Sequence, residues 1–391
     1  MRTLAFWLSL ILIFVTAWED MVFFEGLGTV SRAMGLLLAA FWIVKVIVTG
    51  RFRKPRPFHV MVYLFVLWNT VSAFWSFDVE ETLQRSKTYF QLAGLVWILW
   101  DLYTSPTALK AGLQAYVLGV YVSIGSTVVN YVMGQEANYL RYAATGFNAN
   151  DLGLMLALGI PVAWHLAVSE SNSKVTHMLS LVNYAYIPIA ILAISLTASR
   201  GALLAALPAF LFVLGSLPRL NFFLRVLIFA ALISALFALQ PLVPQSSFQR
   251  LGTTGASIAD GDLGDRVDIW RESIASFTEH PLLGIGSGAF RTAVVPGNVA
   301  HNSFLSVLAE VGMVGFALFV IILAMTVYQA MHQPKWDARF WLIILLVWTI
   351  GASSLTWEHR KATWLFLSLV VVGASLSVRR DEARCAQSLH M

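Results

Sequence analysis

The stretch from residue 265 to residue 310 holds the side chains whose chemistry is easiest to recognise. It contains Asp-Arg-Val-Asp-Ile-Trp (265–270), His-Pro-Leu-Leu-Gly-Ile-Gly-Ser-Gly (280–288) and Ala-His-Asn-Ser-Phe-Leu (300–305). Arg266, Arg271, Arg291 and His301 lie in this stretch, next to long apolar segments. Arginine keeps its charge and offers phosphate a planar fork, and histidine can act as a base near neutral pH. The pattern indicates a site for an anionic substrate that reaches the protein from a bilayer.

The composition sets the class of protein that carries this stretch. Of 391 residues, 58% are hydrophobic and only 12% are charged, so a soluble domain could not cover its surface with polar groups. The chain is predicted to be one integral membrane domain over residues 1–391. Its net charge of +5 is spread through loops, which disfavours nucleic acid as a partner. The single cysteine, Cys385, lies in a polar tail, so no disulfide, metal cluster or redox motif is predicted.

The apolar runs predict the elements that position these residues. Spans near the ~20 residues that cross a hydrocarbon core occur at about 4–18, 33–49, 58–76, 88–103, 108–132, 151–169, 181–198, 200–216, 220–241, 303–330, 340–356 and 361–378. Each must be helical because lipid offers the backbone no hydrogen-bond partner, and continuous runs exclude a strand barrel. The predicted fold is therefore all-α and polytopic, with about 12 transmembrane helices. The first run lacks a cleavage site and is read as a retained helix.

Loop charges predict the orientation. Basic residues crowd the loop at 51–56 and the tail at 379–384, and the positive-inside rule places both in the cytoplasm. Both termini are then cytoplasmic, and one long loop, 242–302, is extracytoplasmic. The same topology places several other cations on the outer face: Arg85, Lys87, Arg141, Arg200, Arg360 and Lys361. Outer cations near a membrane oppose this bias, and an anion is the obvious reason for them.

Within the long loop, an amphipathic helix is predicted after Asp265, which is placed to cap it. Val267, Trp270, Ile274 and Phe277 recur at spacings of three and four, which is typical of a helix lying on the outer membrane surface. Pro281 ends the pattern.

Arg266 falls in the first turn of this helix, where its charge opposes the helix dipole by a few tenths of a kcal/mol, up to ~1. Two explanations are open. Either Asp262 or Asp268 pairs with Arg266, or a bound anion compensates it.

His301 and Asn302 precede the apolar run that starts at Ser303. An imidazole at a helix N-terminus is kept neutral as a potential base, and free N–H groups there attract phosphate. The alternative for His301 is an interfacial histidine without chemistry, and for Asn302 a simple helix cap. Glu310 lies nine residues beyond His301, out of phase with it on a straight helix, so it needs a partner on another helix.

Two further patterns receive plainer interpretations. The glycines of Gly-Ile-Gly-Ser-Gly (284–288) lack the strand that a dinucleotide fingerprint requires, and predict a flexible turn that returns the loop to the membrane. Lys45 and Asp101 lie near inner helix ends. Charged residues are tolerated there because their side chains can extend towards water.

Four motifs in order resemble the O-antigen ligase and polymerase superfamily of bacterial membrane glycosyltransferases. They are Thr-Ala-Ser-Arg-Gly-Ala-Leu-Leu-Ala (197–205), Asp-Arg-x-x-x-Trp (265–270), His-Pro-Leu-Leu-Gly-Ile-Gly (280–286) and Ala-His-Asn-Ser-Phe-Leu-x-x-Leu-Ala-Glu-x-Gly (300–312). The loops at 146–153 and 78–85 are similar to that family as well, so the likeness covers most of the chain.

The resemblance implies a GT-C-like fold in the bacterial inner membrane. It implies metal-independent, inverting transfer of a glycan from undecaprenyl diphosphate to an acceptor hydroxyl, without a cofactor. His301 matches the family's proposed base, and Arg200 and Arg266 match the arginines that hold the diphosphate. Four further residues are candidate substrate contacts by location: Arg85, Arg141, Arg291 and Asn302.

The acceptor is left open by these motifs. A ligase transfers the glycan to lipid A core, whereas a polymerase transfers it to another lipid-linked repeat; the Arg200, Arg266 and His301 set favours the ligase slightly. A polysaccharide transporter or flippase is the alternative of another class. Transporters usually place ionisable residues near the membrane midplane in paired halves, whereas the notable charges here lie at the outer face.

Overall fold

The computed structural model describes residues 2–26, 28–137, 141–169, 174–220 and 266–388, together with scattered positions between 222 and 234. It is a helical bundle. The helices are α1 (Arg2–Thr16), α2 (Val30–Thr49), α3 (Pro57–Val71), α4 (Val79–Leu102), α5 (Pro106–Val132), α6 (Ala149–Val168), α7 (Lys174–Thr197), α8 (Arg200–Ser216), α9 (Arg266–Glu279), α10 (Phe290–Ala293), α11 (Ser303–Met331), α12 (Lys335–Ala352) and α13 (Lys361–Ser388). A short hairpin pairs β1 (Phe23–Phe24) with β2 (Gly28–Thr29).

The predicted spans agree well with these helices. Eleven of the twelve apolar runs fall on helices, and the run at 220–241 lies mostly outside the described residues. Eight of the described helices are long and apolar enough to cross a membrane. The prediction of an all-α polytopic membrane protein is confirmed. Helices α2, α4, α6, α8, α11 and α13 all begin at one end of the bundle, called here the outer end because loop charges predict it to be extracytoplasmic.

Helix α6 forms the centre of the bundle and brings the functional segments together. It packs against α5, α7, α8 and α12, and nearly all of its side chains are buried. Gly153 allows a close approach to α8, because a Cβ atom there would overlap the Cβ of Ala202. The first turn of α6 therefore lies inside the outer end, close to the start of α8.

At the opposite end, the side chains of Lys45 and Asp101 were predicted to extend towards water, but they form a buried pair. Lys45 Nζ donates to Asp101 Oδ2 at 2.5 Å, and both side chains are buried. The carboxylate also accepts from the indole of Trp42 and the backbone of Arg53. A buried ion pair with this many hydrogen bonds is stable only as a unit, so it ties α2 to α4.

The amphipathic helix is present as α9, and the face that packs on the protein is not the predicted apolar stripe but a neighbouring face. Ile269, Ser273 and Ser276 are buried, and α9 packs against α11. Ile274 of the predicted apolar stripe is 50% exposed. Small polar residues bring α9 close to α11, and this leaves part of the apolar stripe facing outwards, as expected for a helix at a membrane surface. The predicted cap, Asp265, lies outside the described residues.

The glycine turn is closely packed, and the prediction of a flexible turn is wrong. Gly284, Gly286 and Gly288 have φ values of 69°, 106° and 83°, which favour glycine over residues with a side chain. The turn lies against a break in α11 at Gly312 (φ 64°), where Gly286 N donates to the carbonyl of Glu310 at 2.8 Å. A Cβ on Gly286 would overlap Ser76.

Candidate active site

His301 stands in an unusual backbone conformation immediately before α11. Its φ is 48°, which for a residue other than glycine costs on the order of 1–3 kcal/mol and occurs disproportionately at functional sites. Asn302 is the N-cap of α11, and its side-chain oxygen accepts from Phe304 N at 2.9 Å and Leu305 N at 3.2 Å. The capping role of Asn302 is thus seen directly, and it fixes the direction in which His301 leaves the helix.

The segment between α12 and α13 holds the other side of this turn. Ser303 Oγ donates to Leu355 O at 2.8 Å and accepts from Trp357 N at 2.7 Å. The indole of Trp357 donates to Asp151 Oδ1 at 2.8 Å, and Arg360 Nη2 donates to Asp151 Oδ2 at 2.9 Å. Both carboxylate oxygens of Asp151 are therefore used, and the first turn of α6 is linked to the start of α11.

Arg200 is positioned by a tight break between α7 and α8. Ala198 has a φ of 45°, and the hydroxyl of Ser199 caps α8 by accepting from Ala202 N. The predicted break at this point is present. Arg200 follows as a half-buried residue at the outer end.

Arg141 supports this break from the loop before α6. Its Nε donates to Thr197 O at 2.8 Å, and its Nη2 donates to Asn150 Oδ1 at 2.6 Å. The same oxygen of Asn150 accepts from the hydroxyl of Ser199 at 2.9 Å. These contacts give Arg141 a structural role in holding the segment that presents Arg200.

Arg266 lies at the start of α9, close enough to Arg200 for the two positive charges to affect each other. Burial lowers the pKa of Arg266, and the charge of Arg200 lowers it further; a guanidinium nevertheless keeps its proton at neutral pH. In the part of the chain that the structure describes, neither arginine forms an ion pair. Asp268, one of the two predicted partners of Arg266, instead pairs with Arg271 at 2.9 Å, and Asp262 lies outside the described residues.

His301 lies in the field of both Arg266 and Asp151. Burial lowers the pKa of His301 below its usual value, the charge of Arg266 lowers it further, and the charge of Asp151 raises it. The net direction is downward, so the imidazole is neutral at pH 7 and able to accept a proton. His301, Arg200 and Arg266, predicted from three separate motifs, thus form one electrostatic cluster.

Arg85 has a different environment from that of the two unpaired arginines. It pairs with Glu358 at 3.4 Å and interacts electrostatically with Glu310. Glu310 also accepts from Gly288 N at 2.7 Å, and Glu358 accepts from Ser306 at 3.2 Å. The missing partner of Glu310 is therefore the turn at Gly288 together with Arg85, and this buried network joins the glycine turn to α4, α11 and the segment before α13.

Arg291 is exposed on α10, and the described contacts do not bring it to His301. The same holds for Lys87, which is exposed on α4. Among the described residues, no group of three or more His, Cys, Asp or Glu side chains is arranged to hold a metal ion.

Three residues of the site were not singled out by sequence reasoning: Asp151, Trp357 and Glu358. The only signal for Asp151 was its place in the Asn-Ala-Asn-Asp stretch at the start of a span. Arg360 was noted as an outer cation, but its partner is 209 positions away in the chain. Such pairs depend on the packing of distant helices.

Two comparisons with known proteins bear on this site. The family model described as Wzy_C, O-Antigen ligase, matches residues 185–320, which include Arg200, Arg266 and His301. The O-antigen ligase of Pseudomonas aeruginosa PAO1 is 26% identical over 350 residues, covering 86% of this chain and 82% of that protein. Together these similarities support the superfamily that the motifs predicted.

Proposed function

We propose that this chain, as a member of the O-antigen ligase superfamily, transfers a glycan from undecaprenyl diphosphate to a hydroxyl of lipid A core at the outer face of the bacterial inner membrane. The observation that carries the proposal is the pair Arg200 and Arg266. The charge of Arg200 acts on Arg266, the charge of Arg266 acts on His301, and within the described residues neither arginine has a carboxylate partner. The ligase is chosen as the reaction because the similar Pseudomonas aeruginosa protein is an O-antigen ligase.

The two arginines would bind the diphosphate of the donor. Two like charges held close together repel each other, and a dianionic group between them removes that repulsion. Guanidinium groups present several N–H donors to phosphate oxygens. They stabilise the leaving diphosphate as negative charge grows on it, and such stabilisation is typically the largest single contribution to catalysis.

His301 would act as the general base. Its neutral imidazole takes the proton from the acceptor hydroxyl while the hydroxyl oxygen forms a bond to the anomeric carbon of the donor sugar. The bond between that carbon and the diphosphate oxygen breaks, and undecaprenyl diphosphate leaves with the electron pair. Attack on the face opposite the leaving group inverts the anomeric configuration. No metal is required by this scheme, because the arginines balance the charge of the leaving group.

The surrounding contacts support this role for His301. A left-handed backbone at a histidine is kept only where neighbouring contacts determine it. Here the Asn302 cap and the hydrogen bonds of Ser303 to the segment at 355–357 hold the turn. The imidazole is thus presented in a fixed direction, as proton transfer to a positioned base requires.

The test uses purified protein in lipid nanodiscs, supplied with glycan-linked undecaprenyl diphosphate, with and without lipid A core. The expected result is glycan on the core only when core is present, with loss of product in His301→Ala. Arg271→Ala is the matched control, because Arg271 is exposed and pairs only with its neighbour Asp268. A ladder of longer lipid-linked glycans formed without core would show that the protein is a polymerase and not a ligase. If neither product forms in folded protein, the enzyme proposal fails, and glycan transport is to be assayed instead.

A further inference from the structure

A cleft of about 480 Å³ lies at the outer end between α1, α2 and α4. Its deep part is apolar and is formed by side chains such as Leu12, Leu38, Leu95 and Ile98. Gly94 opens one wall, since a Cβ atom there would meet nothing within 4 Å. The volume lies within the ~300–1,000 Å³ of ordinary ligand sites, and the apolar lining suits a hydrocarbon chain.

The mouth of the cleft is polar and basic. Glu19 and Lys361 neutralise each other there, with Nζ and Oε2 2.5 Å apart. Arg32 also lines the cleft, and it forms no ion pair within the described residues. The Nε atom of Arg360 is buried and has no hydrogen-bond acceptor, although its other nitrogens pair with Asp151 and Asp20. Arg32 is thus a cation at the mouth without a carboxylate partner among the described residues, and an anionic group bound there would be stabilised by it.

The hairpin formed by β1 and β2 borders the mouth. Phe23 lines the cleft and is 73% exposed, and the neighbouring Phe24 is 43% exposed. Exposed phenylalanine side chains of a membrane protein insert at the boundary between lipid headgroups and acyl chains. The hairpin therefore places the mouth at the level of the lipid headgroups.

Arg360 connects the cleft to the active site. Its guanidinium lines the cleft on one side and donates to Asp151 on the other, and Asp151 acts on the pKa of His301. Arg200 and Arg266 do not line the cleft. The transfer reaction proposed above involves two lipids that must both reach His301, and the arginine pair accounts for only one of them.

We propose that this cleft binds the acceptor lipid: one of its hydrocarbon chains occupies the apolar space between α1, α2 and α4, and its headgroup phosphate contacts Arg32 and the exposed part of Arg360. This inference rests on the proposed function, because it assumes two lipid substrates. It assigns the donor to the arginine pair and the acceptor to a separate entrance on the other side of Asp151 and Arg360.

Two variants test the assignment by separating the two Michaelis constants. Gly94→Phe fills the cleft, and Arg32→Gln removes the free charge at its mouth. Arg32→Gln is expected to raise the KM for lipid A core about tenfold or more, the loss that follows from one charge-assisted contact. Gly94→Phe is expected to raise the same KM because its ring occupies the space of the hydrocarbon chain, and the KM for the lipid-linked donor stays unchanged in both variants. Gly125→Phe is the control, because Gly125 also faces open space but lies on α5 outside the cleft.

A second measurement does not depend on turnover. Binding of purified lipid A core is followed by the shift in thermal unfolding of the protein in nanodiscs, and the shift is expected to be lost in Gly94→Phe and kept in Gly125→Phe. If that pattern holds but the wild type transfers no glycan, the proposed function is refuted, whereas the proposal that the cleft binds lipid A core is supported. A raised KM for the donor alone would assign the cleft to the donor and overturn the inference. Unchanged binding and unchanged constants in both variants would overturn it as well.

Discussion

Arg360 donates to Asp151 across 2.9 Å, and this one ion pair links the lipid cleft to the turn that carries His301. Arg360 precedes α13 and Asp151 lies in the first turn of α6, so the pair fixes the relative position of two helices. Asp151 also accepts from the indole of Trp357. The carboxylate is therefore a structural anchor and also a negative charge that raises the pKa of His301.

Asp151→Asn is expected to shift the pH dependence of transfer towards acid. The negative charge of Asp151 raises the pKa of His301, so its removal lowers that pKa further. The base is active when neutral, and activity is lost as pH falls through its pKa. The acidic limb of kcat/KM should therefore lie at lower pH in the variant than in the wild type, as measured by initial rates between pH 5 and pH 8. If the acidic limb is unchanged, Asp151 does not affect the pKa of the catalytic base.

Arg266→Gln is expected to shift the same limb in the opposite direction. The charge of Arg266 lowers the pKa of His301, so its loss lets that pKa rise towards its usual value. Transfer at neutral pH should also fall by roughly 10²–10³-fold, the cost of losing one donor to a developing negative charge. The same rate measurements at several pH values report both effects. Arg271→Gln should change neither the rate nor the limb, because Arg271 is exposed.

Arg85→Met is expected to destabilise the protein. It leaves Glu358 and Glu310 buried without their cation, and breaking such a pair costs about 3–5 kcal/mol. Thermal unfolding in detergent is the measurement. Combining it with Glu310→Gln and Glu358→Gln should restore much of the loss, because the uncompensated charges are removed. If the triple variant is no more stable than Arg85→Met, the charges are not the cause.

Gly286→Ala is expected to lower stability more than Gly297→Ala. Both glycines have positive φ values, 106° and 82°, so each substitution carries a backbone cost of about 1–2 kcal/mol. A Cβ on Gly286 would in addition overlap Ser76, whereas nothing lies within 4 Å of one on Gly297. Overpacking adds about 1–3 kcal/mol. The difference between the unfolding temperatures of the two variants measures the cost of overpacking apart from the cost of backbone strain. Equal losses of stability would show that the turn at Gly286 is not closely packed.

Much of the fold could be predicted from the sequence, because lipid forces long apolar runs to be helical. The cations near the outer end were predicted for a related reason, since Arg200 and Arg266 stand out where the positive-inside rule disfavours them. Their motifs also resemble those of the O-antigen ligase superfamily. In each case the signal is local in the chain, so no knowledge of packing was required.

The remaining features depend on which distant helices meet. Lys45 was expected to reach towards water but pairs with Asp101, because α2 and α4 pack side by side. Arg85 was predicted from its location to contact substrate, and its pairing with Glu358 was not foreseen. The glycine turn at 284–288 was expected to be flexible, but it packs closely against the break in α11 at Gly312. Each of these contacts involves a partner that a single sequence does not reveal.

The most direct test of the account is the rate of glycan transfer to lipid A core by His301→Asn at saturating donor and acceptor. Asparagine tolerates the left-handed backbone at this position, so the turn is retained while the base is lost. The account predicts a fall in kcat of about 10²–10⁴-fold, the usual contribution of a general base, with undecaprenyl diphosphate still bound as in the wild type. Transfer at the wild-type rate by a folded His301→Asn protein would contradict it.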